Sequence, residues 1–164
     1  MTTPLDLWRQ RVDAGSLNPD PDQERAAAAL SALSGRLEGW KPGAKSLFGK
    51  TKPAPRGLYL WGGVGRGKSM LMDLFVETLG IAEKRRAHFH EFMLEVDRRM
   101  RERRTSDPGD PTGKVARDIA ADVRCLAFDE MVVNNTADAA IMARLFTALI
   151  RDEGVTVVTT SNRP

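Results

Sequence analysis

Apolar and polar positions alternate along the chain in a way that separates short strands from helices, most clearly beyond residue 57. Phe92, Val96 and Met100 recur every four residues, which is the spacing of a buried stripe on a helix. Short apolar runs bounded by glycine or charged residues are typical of buried strands. The pattern predicts strands over 58–61, 87–92, 123–128 and 155–160, and helices over 69–79, 92–104, 114–121 and 137–151.

Strands that alternate with helices need crossover connections, which place helices on both faces of a parallel sheet. Residues 57–164 are therefore predicted to form an α/β domain. No internal repeat accompanies this alternation.

Two helices are predicted ahead of that domain. Thr3, followed by proline, is a typical N-cap for a helix that runs to about residue 12. Asp20 before proline, with Gln23 three positions on, has the form of a capping box ahead of an Ala/Leu-rich helix. Residues 39–56 contain Gly, Pro and Lys without periodicity and are predicted to be a connecting loop. We therefore group residues 1–56 as N-terminal helices and linker.

Composition and charge exclude several classes of protein. With 164 residues the chain is long enough for about one domain, and the net charge of +3 is too small to diagnose a nucleic-acid binder. A single cysteine, Cys125, excludes an intramolecular disulfide framework and a cysteine-rich zinc site. No apolar run approaches the roughly 18 residues of a membrane span, and the N-terminus lacks the pattern of a secretory signal. A cytoplasmic location is the expectation.

One segment carries the strongest chemical signal in the sequence. Glycines allow successive backbone N–H groups to approach phosphate oxygens, and the N-terminus of the following helix attracts the same anions. A lysine can bridge the β- and γ-phosphates, and the next hydroxyl can ligate Mg²⁺. Residues 62–69 match this pattern at every fixed position. Together with the residue that follows, they are predicted to bind nucleotide; the residues are Gly62, Gly63, Val64, Gly65, Arg66, Gly67, Lys68, Ser69 and Met70.

Polar residues follow the two later strands. Asp129 and Glu130 come directly after the apolar run 123–128, at the end where an open parallel sheet binds its ligand. Asp129 is suited to hold Mg²⁺ together with Ser69, and Glu130 to orient and deprotonate an attacking water. Asn162 follows the last strand and could hydrogen-bond the γ-phosphate or that water; a turn-initiating asparagine is the alternative.

The acidic pair also helps to distinguish between the classes of nucleotide-binding protein that share the glycine-rich loop. GTPases and nucleotide kinases usually lack a glutamate directly after the aspartate directed at Mg²⁺. The additional strand predicted at 87–92 lies between the glycine-rich loop and the acidic pair. That order is typical of ATPases of the additional-strand type.

With these residues placed, the chain resembles the ZapE-type cell-division ATPases, a branch of the AAA+ superfamily with mitochondrial relatives. The resemblance implies an Mg²⁺-dependent ATPase that acts on a partner protein, which is FtsZ for bacterial members. It also implies contacts of Lys68 and Ser69 with ATP or ADP and Mg²⁺, and a homo-oligomer for the full-length form. The similar segments are 20–23, 57–75, 88–93, 128–130, 138–139, 144–146 and 160–163.

The same resemblance assigns Asp129 and Glu130 to the Walker B pair and Asn162 to the sensor 1 position. Departures from the family pattern are Met131 after the pair and the Asn135-Thr136 step, which removes a carboxylate near the site. Family members continue past sensor 1 through a fifth strand, an arginine finger and a helical lid. We therefore expect a core truncated after the sensor 1 strand, with the strand before the glycine-rich loop at an unpaired edge.

Two other functions stay open at this stage. The chain could be a binding module that hydrolyses ATP negligibly, or a helicase-loader-like protein that binds nucleic acid through the arginines within 98–104. A solvated helix face explains those arginines equally, and nucleic acid is not the expected partner. His88 and His90 are predicted to share one side of a strand, in a packing or hydrogen-bonding role.

Overall fold

The computed structural model describes residues 2–40, 53–61, 67–106, 109–133 and 135–161. Within these residues, four strands form one parallel sheet in the order β1-β4-β3-β2. The prediction of a parallel α/β fold is confirmed. The strands are β1 (Leu58–Trp61), β2 (Lys84–His88), β3 (Cys125–Asp129) and β4 (Thr156–Ser161).

Helices cover both faces of the sheet, as a parallel sheet requires. A π-helical turn over Ala148–Asp152 continues the last of them. In the described part of the chain the helices are α1 (Pro4–Asp13), α2 (Pro21–Glu38), α3 (Lys68–Thr78), α4 (Phe89–Ser106), α5 (Thr112–Ala120) and α6 (Thr136–Thr147).

The helix starts follow the capping chemistry of the sequence. The Thr3 hydroxyl accepts from the Asp6 backbone N–H at 3.1 Å, and the Asp6 carboxylate accepts from the Thr3 N–H at 3.0 Å. Asp20 accepts from the N–H groups of Asp22 and Gln23 at 2.9 and 3.4 Å. These contacts confirm both predicted N-caps, because each satisfies backbone donors that have no partner within the helix.

Two apolar clusters meet at β3. Leu126 and Phe128 belong to the cluster under α4, α5 and α6, whereas Cys125 and Ala127 belong to the cluster under α1, α2 and α3. Alternate strand residues point to opposite faces, so a strand covered on both faces is apolar throughout. Burial raises the pKa of the Cys125 thiol to about 12, as expected for a core residue and not for a reactive thiol.

The predicted strand at 87–92 is wrong in position. The strand occupies Lys84–His88, and helix α4 begins at Phe89. Periodicity missed this strand because its first three residues are charged, and the groups that contact their side chains lie outside the strand. Arg85 pairs with Glu95, and the Lys84 ammonium donates to the carbonyls of Val76 and Leu79 at 2.6 and 2.8 Å.

That shift also corrects the geometry expected for the two histidines. His88 ends β2, but His90 lies in the first turn of α4, so the two do not alternate on one strand. Among the described helices, none combines the length and hydropathy needed to cross a bilayer.

Candidate functional site

The predicted site residues collect at the carboxyl ends of the strands. Trp61 of β1 is in register with Ser161 of β4, and Asp129 of β3 is in register with His88 of β2. Helix α3 begins beside these strand ends at Lys68. The fold therefore brings the end of the glycine-rich loop and the acidic pair to one edge of the sheet, where open α/β sheets bind ligands.

The first part of the predicted phosphate loop, residues 62–66, lies outside the described residues, as does Asn162. Gly67 is the N-cap of α3 and has a φ of 102°, which side-chain-bearing residues rarely adopt. A Cβ at Gly67 would lie 2.4 Å from Nε2 of Gln23. Gln23 also accepts from Trp8 Nε1 at 3.0 Å, so the N-terminal helices reach the start of α3. The backbone conformation requires glycine here, whereas the Gln23 amide, at the end of a flexible side chain, could shift.

Lys68 lies at the carboxyl ends of the strands. Its ammonium donates to the Ser161 carbonyl at the end of β4 at 3.0 Å. Ser69 is exposed at the N-terminus of the same helix, and Met70 packs against the cluster under α1 and α2. A cation and a hydroxyl on the first turn of a helix are well placed for an anion, because the backbone N–H groups there have no partner within the helix.

Asp129 has one occupied and one open oxygen. Oδ2 accepts from Arg86 Nη2 at 2.6 Å, and Arg86 also contacts the carboxylate of Asp73 on α3. Oδ1 is buried and has no hydrogen-bond partner among the described residues. A buried carboxylate oxygen without a partner is costly unless a cation or water satisfies it. Carboxylate and hydroxyl oxygens are the ligands Mg²⁺ prefers, so Asp129 and Ser69 fit this ion.

Glu130 follows in a constrained turn. Its φ is 45°, the one positive value of a non-glycine residue in the described part of the chain. The turn is fixed by the buried Thr160, whose hydroxyl accepts from the Glu130 N–H at 3.0 Å and whose carbonyl accepts from the Met131 N–H at 3.1 Å. Unusual backbone conformations of this kind collect at functional sites. Thr160 was not predicted; its only signal in the sequence is a hydroxyl near the end of a β-branched strand.

A groove of about 440 Å³ opens beside these residues. Ser69, Asp129 and Glu130 all line it, and it extends away from α3 over His88 and Met93. Its far side carries Asp138, whose N–H donates to Asn135 at 2.8 Å. The asparagine that departs from the family pattern therefore serves as the N-cap of α6. No three His, Cys, Asp or Glu side chains of the described residues, in this groove or elsewhere, form a group that could hold a metal ion by itself.

The arginines of α4 are partly neutralised within the chain. Arg98 pairs with Glu102 at 3.2 Å, and Arg99 pairs with Glu95 at 3.4 Å. Arg103 makes a bidentate contact with Asp118 of α5 at 2.6 to 3.0 Å. These pairs favour a structural surface over a continuous basic patch.

Solved structures of other proteins share the parallel α/β fold of this chain. Domain III of the replication initiation protein DnaA from Thermotoga maritima matches with a TM-score of 0.57 over 90% of this chain and 54% of that one, at 17% identity. DnaI matches with a TM-score of 0.56 over 91% of this chain and 71% of that one, at 16% identity. At these identities the likeness concerns the fold alone.

Sequence comparison is more specific. The profile of AFG1-like ATPases matches residues 2–164, and the chain belongs to this family. Cell division protein ZapE of Escherichia coli strain K12 is 39% identical over 99% of this chain and 46% of its own length. Lactation elevated protein 1 homolog B of Danio rerio is 44% identical over 67% of this chain and 24% of its own length. The chain thus spans less than half of the curated relatives it matches. The predicted resemblance is confirmed.

Proposed function

We propose that this chain binds ATP with Mg²⁺ at the carboxyl edge of the sheet, and that the whole protein hydrolyses ATP to act on a partner protein. The observation that carries the proposal is the open Oδ1 of Asp129, buried in the groove that also exposes Ser69. Two ligand oxygens of the kinds Mg²⁺ prefers lie beside the N-terminus of α3, where phosphate would bind.

The nucleotide would be bound by residues 62–70. The backbone N–H groups of the loop and of the first turn of α3 would hold the phosphates, and Lys68 would neutralise their charge. The lysine now donates to the carbonyl of Ser161. Because an ammonium has three donors, Lys68 could reach a phosphate and keep this contact. Support for the nucleotide class comes from the family and from a fold shared with an AMPPCP-bound DnaA of Aquifex aeolicus, with a TM-score of 0.52.

The catalytic roles divide between the two acids. Ser69 and Asp129 would hold Mg²⁺, which when bound supplies charge neutralisation at the phosphates. Glu130 would accept the proton of the attacking water, since its turn directs it to the exposed rim of the groove. Asn162 would orient that water, and Lys68 with an arginine from a neighbouring subunit would stabilise charge on the transferred phosphoryl group.

The first test is nucleotide binding by this chain. We expect Lys68→Ala to weaken ATP binding by about 100-fold or more, because it removes the cation that faces the phosphates. Lys114→Ala, an exposed lysine of α5, is the matched control and should bind like the wild type. Unchanged affinity in the Lys68 variant would refute the assignment of the site.

A cell-division role and an FtsZ-type partner are proposed from the relatedness to ZapE. A second candidate is a unit that binds nucleotide but hydrolyses it negligibly. Turnover by this chain and by a version of the length of its relatives separates the two. Equal, robust rates would reject the second candidate.

A nucleic-acid function is the weaker alternative. Three of the arginines within 98–104 pair with acids of the same chain, which leaves little charge for phosphates. Salt-dependent DNA binding that is lost in Arg101→Ala with Arg104→Ala would support it. Absence of such binding would reject it.

A further inference from the structure

Arg86 is the one basic side chain that the described contacts place on Asp129. Its guanidinium donates to Oδ2 at 2.6 Å and also contacts the carboxylate of Asp73. The Arg86 side chain is 25% exposed and that of Asp129 15%, so solvent screens this pair less than a surface pair. The contact spans from the edge strand β2 to the carboxyl end of β3 and to α3.

The neighbouring arginine shows that this contact is specific to one position. Arg85 points to the opposite face of β2, where it makes a bidentate contact with Glu95 at 2.9 and 3.0 Å. It also lies over the ring of Phe92, with 5.6 Å from its Cζ to the ring centroid. Arg85 and Arg86 therefore lie on opposite faces of the sheet, and of these two arginines only Arg86 contacts a residue of the candidate metal site.

The charges around the groove explain what Arg86 could do. Asp129, Glu130 and Asp138 all line it, and Asp73 lies close enough to share the guanidinium. Without the guanidinium, the Asp129 carboxylate would carry an uncompensated negative charge, which attracts a divalent cation more strongly. A guanidinium that is hydrogen-bonded to Oδ2 neutralises the Asp129 carboxylate, which is the carboxylate best placed as a metal ligand. It also repels a metal ion that approaches Oδ1.

We infer that Arg86 keeps the metal site closed to free divalent cations, so that Mg²⁺ is held only together with the nucleotide phosphates. The phosphates bring several negative charges, which outweigh one guanidinium. The arginine can stay on Oδ2 while Oδ1 faces the ion, because the two oxygens are separate acceptors. This inference rests on the proposed function, since it takes Asp129 as the carboxylate directed at Mg²⁺.

The experiment measures Mn²⁺ binding to nucleotide-free protein by electron paramagnetic resonance. We expect Arg86→Gln to bind Mn²⁺ at least about ten-fold more tightly than the wild type, since it removes the repelling charge. Arg86→Lys keeps a charge at the same place and should stay within about three-fold of the wild type. Arg85→Gln is the matched control from the same strand and should not gain Mn²⁺ binding.

The gained site must involve Asp129. Adding Asp129→Asn to Arg86→Gln should return Mn²⁺ binding to the wild-type level. If Arg86→Gln binds Mn²⁺ no more tightly than the wild type, or if Arg85→Gln gains as much, the inference is overturned.

Arg86→Gln is expected to lose stability, because the half-buried Asp129 loses its ionic partner. A second measurement therefore follows thermal unfolding. Mn²⁺ without nucleotide should raise the unfolding temperature of Arg86→Gln but not of the wild type, since an ion that binds only the folded state stabilises it. No rise in Arg86→Gln would contradict the inference.

The proposed function and the role of Arg86 can be rejected separately. If Asp129→Asn alone leaves Mg²⁺-dependent nucleotide binding unchanged, the proposed function fails. If Asp129→Asn weakens it while Arg86→Gln gains no Mn²⁺ binding, only the role of Arg86 fails.

Discussion

The two ends of β3 use charged residues in opposite ways. Arg124, directly before the strand, pairs with Glu83 at 3.3 Å, donates to the carbonyl of Leu37 at 2.7 Å and contacts that of Trp40. Asp129, at the other end, is also paired with an opposite charge. Each of the two side chains has one buried polar atom without a partner among the described residues, Nε of Arg124 and Oδ1 of Asp129. Arg124 joins three segments of the fold, whereas Oδ1 of Asp129 is an acceptor in an open groove, where we propose that it binds a cation.

This contrast predicts that residues that stabilise the fold can be distinguished from residues that bind nucleotide. Charge at the amino end should matter for the free energy of unfolding and not for nucleotide binding, whereas Asp129 and Glu130 at the carboxyl end should matter for nucleotide binding and turnover. Each residue can be tested by both measurements, and an amino-end residue that alters nucleotide affinity would contradict the comparison.

The largest expected effect is on turnover. In a protein of the length of its relatives, Glu130→Gln should lower kcat by about 10²- to 10⁴-fold and leave ATP affinity within about three-fold, because only the acceptor of the water proton is lost. Glu77→Gln, an exposed residue of α3, is the control and should be unchanged. Turnover near the wild-type value in Glu130→Gln would remove Glu130 from the mechanism.

At the opposite end of β3 the expected loss is in stability. Arg124→Ala should lower the free energy of unfolding by about 3 kcal/mol, because it removes the ion pair with Glu83, the hydrogen bonds to the carbonyls of Leu37 and Trp40, and a cation–π contact with the Trp40 ring. Urea unfolding measures this loss. Nucleotide affinity of the folded fraction should be unchanged, and a comparable loss of affinity would erase the distinction between the two ends.

The glycine-rich loop and the acidic pair were visible in the sequence because each has a local signal. Gly67 has a positive φ, and Asp129 and Glu130 follow the apolar residues that form the buried part of β3. The structure places Ser69 and this acidic pair in one groove, and their roles with nucleotide stay predictions. Arg86 was not predicted, because its role depends on the register that sets β2 beside β3. The start of β2 was missed because its first three residues are charged, and the acidic partners of its arginines are known only from the fold.

The smallest expected effect concerns the second arginine of β2. The hydrogen bond from Arg85, with the attraction of Arg85 and Arg99, holds the pKa of Glu95 below its usual 4.5. A lowered pKa in the folded state contributes stability above the unfolded value, which is lost as the pH falls through the folded one.

Glu95→Gln should therefore cost about 1 kcal/mol at pH 7, and the difference from the wild type should shrink as the pH falls below about 4.5. Thermal unfolding across pH measures this. Glu102→Gln, which removes a more exposed pair with Arg98, should show a smaller effect. A difference that grows toward low pH would contradict the sign of the shift.

The central claim is that Asp129 holds Mg²⁺ for a bound nucleotide. Calorimetric titration of a nonhydrolysable ATP analogue, with and without Mg²⁺, tests it in the wild type and in Asp129→Asn. The account predicts that Mg²⁺ tightens binding to the wild type by about ten-fold or more and has little effect on the variant. An equal gain from Mg²⁺ in both proteins would contradict it.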